Sequence, residues 1–210
     1  MAGEKSARGR IMTEEKIPRE VERWKVLLRE AYERREKELT EIYHRSLPFQ
    51  DAMFDREERA KKLGFGKGAT IYNSALVFGD VTVGEGTWIG PYVLLDGSGG
   101  GIRIGSTCSI SSGVHIYTHD TVGWALSGGR QAYRLKPVKI GNCCYIGSQS
   151  IILAGVDIAD RCVVAANSMV NDSVPSQTIV GGTPARKIGH VEYRGDEPIL
   201  VLDRDAGRGR

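Results

Sequence analysis

At 210 residues the chain is long enough for one sizeable domain with an appendage. Its 29 Lys and Arg against 26 Asp and Glu leave a formal charge of only +3, which argues against nucleic acid or an anionic membrane surface as the main partner. No stretch approaches the roughly 18 consecutive apolar residues of a membrane span, and none near the N-terminus has a signal-peptide core, so no membrane partner and a cytoplasmic setting are expected.

The charges are unevenly placed. Residues 1–62 hold 16 Lys/Arg and 14 Asp/Glu, whereas Ile71–Val180 holds only 6 and 7. The first 62 residues therefore read as a charged, solvated arm. Within it, Pro18–Tyr43 reads as an α-helix, with Val21, Trp24, Leu28, Tyr32, Leu39 and Ile42 forming a partial apolar stripe among charges. Leu47-Pro48 ends it, and Asp55–Lys62 reads as a second short helix. The expected role of this arm is to dock against the neighbouring domain and cap its first end. A glycine cluster in Leu63–Ala69 marks the boundary.

Beyond it a repeat sets the architecture. Ile71, Val77, Val83, Ile89 and Leu95 lie six residues apart. The series resumes at Ile104, Ile110 and Ile116, and again from Ile140 through Ile146, Ile152, Ile158 and Val164 to Val170. Small or branched residues stand four places later, as at Thr87, Cys108, Cys144, Ser150, Cys162, Ser168 and Val174, and glycine often comes directly after the aliphatic residue, as at Gly84, Gly105, Gly141 and Gly147. A period of six is neither helical nor a simple strand alternation. It fits a short strand plus a corner, three units making one triangular coil. The fourteen repeat starts amount to nearly five coils, stacked one-dimensionally and needing caps. Glycine is expected to supply positive φ at the corners. The predicted fold class is all-β, a parallel β-helix over residues 63–190 behind the helical arm, with residues 191–210 a fraying tail.

Two interruptions break the phase. Nine residues instead of six separate Leu95 from Ile104, leaving Asp96–Gly101 as a glycine-rich bulge, and Tyr117–Pro137 is a long excursion. Loops leaving a rigid solenoid are where chemistry is placed. The four cysteines, Cys108, Cys143, Cys144 and Cys162, lack the C-x-x-C spacing of a zinc site and read as small, reduced, buried side chains.

From Ile116-Tyr-Thr-His119 to Pro137-Val-Lys-Ile-Gly-Asn142, and on through Ile146-Gly-Ser-Gln to Gly181-Gly-Thr-Pro-Ala-Arg186-Lys-Ile, the sequence resembles the hexapeptide-repeat acyltransferases. In particular it resembles the sugar and xenobiotic O-acetyltransferases such as galactoside and maltose acetyltransferase. The resemblance implies a left-handed β-helix, a homotrimer with sites at subunit interfaces, and acetyl-CoA as donor, with no metal. It implies His119 as general base toward an acceptor hydroxyl, with His115 the second candidate. For the coenzyme it implies Ser148, Ala166 and Arg186, with Lys187 assisting. Asp172 stands where relatives often carry Lys. The acceptor, a small sugar-like molecule, would meet Asp96, Asp120, Trp124, Arg130, Tyr133 or Arg134, since aromatic rings stack on sugar faces and Asp120 is a candidate to orient His119. The alternatives are N-acetylation of an amino sugar, a three-histidine carbonic anhydrase on the same fold, and a non-enzymatic scaffold.

Overall fold

A computed structural model describes residues 18–203, and contacts divide the chain into two units, Met1–Ala52 and Met53–Arg210. In the first unit, helix α1 spans Arg19–Tyr43. It starts directly after Pro18, whose fixed φ suits a helix entry, and Glu20 and Glu22 in the first turn complement the helix dipole. It stops at His44, which adopts the left-handed conformation (φ 51°) ahead of the expected Leu47-Pro48 break. The chain then folds back along α1: the Tyr32 hydroxyl donates to the Leu47 carbonyl at 2.7 Å, and Arg35 Nε to that of Ala52 at 3.2 Å. Of the apolar stripe Leu39 is buried, while Val21, Trp24, Leu28 and Ile42 are exposed.

The second unit opens with α3, Arg56–Lys62, the short helix α2 at Phe49–Met53 preceding it. The Asp55 carboxylate caps α3 by accepting from the amides of Glu57 and Glu58, satisfying donors the helix leaves open. Composition groups α3 with the arm, but its packing groups it with the first coil. The Arg59 guanidinium donates to the carbonyls of Tyr72 and Ala75, and Ala60 and Phe65 join the core that contains Ile71 and Ala75. α3 therefore closes the first end of the solenoid.

The repeats form a parallel β-helix with three walls. On the first wall Ile71, Ile89, Ile110, Ile146, Val164 and Val180 stack in register. The second stacks Val77, Leu95, Ile116, Ile152 and Val170. The third stacks Val83, Ile104, Ile140, Ile158 and Val174. Val174 thus occupies a wall position four residues after Val170, where the sequence pattern makes it a corner residue. Ile71, Ile89, Leu95, Ile110, Ile116, Ile146, Ile152 and Ile158 are fully shielded from solvent, each such side chain contributing roughly 1.5–3 kcal/mol.

The corners differ from expectation. Positive φ falls three places after a wall residue and is carried mostly by non-glycines, including Thr107, Cys143, Gln149, Arg161, Asn167 and Gln177. The glycines directly after wall residues serve close approach instead. A Cβ on Gly147 would sit 2.5 Å from the Ala166 nitrogen, and one on Gly141 2.7 Å from the Asp160 nitrogen. At the corner after the third wall, side-chain donors tie each coil to the next. Thr87 Oγ1 donates to the Gly105 carbonyl (2.8 Å), Cys108 Sγ to Gly141 (3.0 Å), Cys144 Sγ to Ala159 (3.1 Å) and Cys162 Sγ to Pro175 (3.0 Å). Three thiols are thus buried and bonded, but Cys143 is exposed, contrary to the expectation for all four.

The far end is not a fraying tail within the described residues. Thr178–Gly182 pairs antiparallel with Ala185–Arg194, which pairs with Glu197–Leu202. The hairpin extends the first wall and buries Val191. Residues 204–210 of the expected tail lie outside the described residues.

Candidate active site

Both phase breaks fall at one corner, between the second and third walls, on successive coils. The expected bulge at Asp96–Gly101 is part of one continuous strand, Leu94–Ile104. Its first half pairs with His115–Tyr117 and its second with Val138–Ile140, so a single strand turns the corner beneath the long loop. The loop is self-supporting. His119–Asp120 pairs antiparallel with Arg134–Leu135, a helical turn spans Val122–Leu126, and Trp124 meets Tyr133 edge-to-face at 5.8 Å.

Along the extended segment before the loop, side chains alternate. Ile116 and Thr118 point inward and are completely buried; Tyr117 and His119 take the other side. His119 is 29 % exposed and its Nδ1 lies 3.7 Å from Oδ2 of Asp96, itself 14 % exposed. Nδ1 is buried and makes no hydrogen bond. The separation is within ion-pair reach but long for a hydrogen bond, and such bonds often tighten only when substrate is present. The other oxygen of Asp96 is held: Oδ1 accepts from the Ser98 amide at 3.2 Å and from the Ser98 hydroxyl.

Asp96, read from sequence as an acceptor contact, is therefore the carboxylate facing His119. Asp120, the sequence candidate for that task, is turned away. Its Oδ1 accepts from the Val122 amide at 3.2 Å, and Oδ2 lies 4.0 Å from Arg134. His115 is engaged with the Tyr117 hydroxyl at 3.3 Å. Four residues of extended chain separate it from His119, roughly 13 Å at about 3.3 Å per residue. Trp124, Arg130, Tyr133 and Arg134 are exposed on the loop, Arg130 being fixed through its amide to Ser127 Oγ at 3.0 Å.

The donor candidates lie elsewhere. Ser148 and Ala166 sit at the corner between the first and second walls, on adjacent coils linked by the Asn167 amide to the Ser148 carbonyl at 2.9 Å. Within one chain they and His119 occupy opposite edges of the second wall. Arg186 and Lys187 lie at the end of the solenoid, lining a cleft of about 440 Å³ with Val170, Asp172 and Val180. The Arg186 guanidinium is 3.7 Å from Asp172. Among the described residues no three His, Cys, Asp or Glu side chains converge as a metal site needs, and no helix is long and apolar enough to cross a membrane.

Sequence reasoning missed Thr118 and Ser98. Thr118 is marked by the alternation, since it falls on the inward side between two outward residues and a polar inward residue needs a partner; the exposed Ser98 carries no such signal.

Known transferases share this three-walled hexapeptide solenoid. The family model "Bacterial transferase hexapeptide (six repeats)" matches residues 137–172. A hexapeptide-repeat containing acetyltransferase from Vibrio cholerae is 30% identical and superimposes with a TM-score of 0.57, over 79% of this chain and 91% of that one. A further structure of that protein is complexed with acetyl coenzyme A. The chain belongs to the hexapeptide-repeat transferase family. AntD, an N-acyltransferase from Bacillus cereus solved with dTDP and coenzyme A, is 27% identical with a TM-score of 0.55, over 64% of this chain and 88% of that one. Serine acetyltransferase 2 of Arabidopsis thaliana is 35% identical over 130 residues, 62% of this chain, but the match spans only 38% of that longer protein.

Proposed function

We propose that the chain is an acyl-CoA-dependent O-acetyltransferase acting on a sugar or glycan precursor, with His119 as general base. The observation that carries this reading is the partly exposed imidazole whose buried Nδ1 faces the Asp96 carboxylate at 3.7 Å. That carboxylate favours the tautomer with hydrogen on Nδ1, leaving Nε2 free to accept a proton. An acceptor hydroxyl is a poor nucleophile until it loses its proton, and a neutral imidazole is suited to take it. The hydroxyl oxygen attacks the thioester carbonyl as its proton passes to Nε2. The tetrahedral intermediate collapses, the C–S bond breaks, and the imidazolium returns the proton to the departing thiolate. No covalent enzyme intermediate is needed. The Trp124–Tyr133 pair and the arginines Arg130 and Arg134 supply a stacking surface and anionic contacts for the acceptor.

Thiol release from acetyl-CoA, measured against a panel of sugars and amino sugars, tests the reading. Turnover with hydroxyl acceptors supports it; turnover with amino sugars alone replaces it by N-acetylation. We assign the donor to Ser148, Ala166, Arg186 and Lys187. Arg186 would exchange Asp172 for the nucleotide phosphate, because a guanidinium fork binds phosphate bidentately. Arg186→Ala should then raise KM for acetyl-CoA about 10–150-fold, as a lost charge-assisted contact implies, with kcat nearly constant. A fall in kcat at unchanged KM would place the phosphate elsewhere.

Because Ser148 and His119 sit at opposite edges of one wall, we place the complete site between subunits of a left-handed, trimeric β-helix. The second wall offers a surface for this, with Leu76, Phe78 and Ile151 exposed on it. Light scattering should return three times 23.0 kDa, and a fully active monomer would refute the shared site. Four free thiols, three of them buried, suit a cytoplasmic setting.

A further inference from the structure

The same corner holds a device that the transfer mechanism does not itself use. Thr118 is a fully buried polar residue directly before His119. Its hydroxyl donates to the Asp96 carbonyl at 2.7 Å and accepts from the Gly99 amide at 2.8 Å. Its own amide donates to the same Asp96 carbonyl at 3.1 Å, and its carbonyl accepts from the Lys136 amide at 2.8 Å. One side chain thus stitches both ends of the Asp96–Gly99 turn to the segment that carries His119. The turn closes against that segment without slack. A Cβ on Gly99 would stand 2.3 Å from the Thr118 carbonyl oxygen and 2.8 Å from the His119 Cβ. On the outside of the turn, Ser98 grips Asp96 Oδ1 through its amide and hydroxyl, leaving Oδ2 turned to His119.

We propose that Thr118 and Ser98 are positioning residues, and that the three-residue insertion of this coil, which lies within Ser98–Gly101 opposite Asp80, holds Asp96 against His119. An ordinary six-residue repeat needs no inward hydroxyl here. The corner acquires one where its two members must be fixed relative to each other, one from each of two coils. A hydrogen bond from a turn amide to a buried hydroxyl is a stiff restraint because breaking it leaves a buried donor unpaired. Misplacement of a reacting group by about 1 Å costs on the order of 10²-fold in rate, so the restraint carries catalytic weight.

The proposal rests on the reading of His119 as base, and the variants separate the two. Thr118→Val keeps shape and removes the hydroxyl; it should lower kcat by about 10–100-fold with the Kd for coenzyme A and the cooperativity of unfolding retained. Thr118→Ser, which restores the hydroxyl, should recover most of the rate. Ser98 is exposed, so Ser98→Ala tests the outer grip without threatening the fold. It should lower kcat in the wild-type background and have no further effect once Asp96→Ala is present, since the two would act as a unit. Wild-type kcat in Ser98→Ala and Thr118→Val, beside an inactive His119→Ala, overturns the positioning role alone. Impairment of Thr118→Ser with Thr118→Val at the wild-type rate overturns it as well, because valine keeps the methyl that serine lacks. If Thr118→Val does not fold, the Ser98→Ala rate and its Asp96→Ala cycle decide. Full activity in His119→Ala removes the base reading and this proposal with it.

Discussion

His119→Ala is expected to reduce kcat by about 10²–10⁴-fold, the range a general base contributes, while coenzyme A binds within about twofold of wild type. The two halves of that expectation come from different features of the site. Loss of rate comes from the chemistry of the acceptor, since without a base the hydroxyl must attack while still protonated. Retained binding is expected because the coenzyme contacts are assigned to Ser148, Ala166, Arg186 and Lys187, and none of them to the imidazole. Retained structure comes from burial and bonding. The imidazole is outside the stacked aliphatic columns, and its buried Nδ1 makes no hydrogen bond that alanine would break. Steady-state rates with calorimetric titration of coenzyme A check both halves. Activity within threefold of wild type would refute the assignment and move attention to His115.

The columns are legible in the sequence because a period of six is a local property: each wall residue announces itself within one coil. The residue that stands beside it in the next coil is not a local property. The spacing between stacked partners changes from 18 residues at Val77–Leu95 to 21 at Leu95–Ile116 and 36 at Ile116–Ile152, because insertions fall between them. Asp96 and His119 come together only once Leu95 is laid on Ile116, which puts Asp96 beside Tyr117. Sequence adjacency points to Asp120 instead, yet neighbouring residues on an extended strand face opposite ways. The glycines are ambiguous for a similar reason. A glycine is consistent with positive φ or with close approach, and only the next coil's backbone distinguishes the two. The terminal hairpin does carry a sequence signal: Gly195-Asp196 between Val191–Arg194 and Glu197–Leu202 is a two-residue turn of the kind that joins antiparallel strands. The polar, charged composition around it masks that signal and reads as a tail.

The stacked columns also predict where the fold is most fragile. Ile110 lies in the middle of the first wall, in register with Ile89 below and Ile146 above, and has no solvent exposure. Truncating it to alanine removes packing that both neighbouring coils share, and a cavity between stacked coils cannot collapse without shortening the hydrogen-bonded ladder that spaces them. Ile110→Ala should therefore cost about 2–5 kcal/mol, the range for buried Ile to Ala. Val122 is also β-branched, but it is 61% exposed on the loop. Val122→Ala should stay within about 0.5 kcal/mol, as surface changes do. Because assembly would add concentration-dependent stability, denaturant titrations of both variants should be run at one fixed protein concentration. In a one-dimensional solenoid the damage should begin at the second to fourth coils and spread through the nearest-neighbour interfaces. Hydrogen exchange should therefore quicken first at the amides of Ser109 and Ser111, which bond the carbonyls of Cys144 and Ile146. A loss no larger than that of Val122→Ala, with those amides still protected, would mean that the coils are held by their ladders and corner donors rather than by the aliphatic stack.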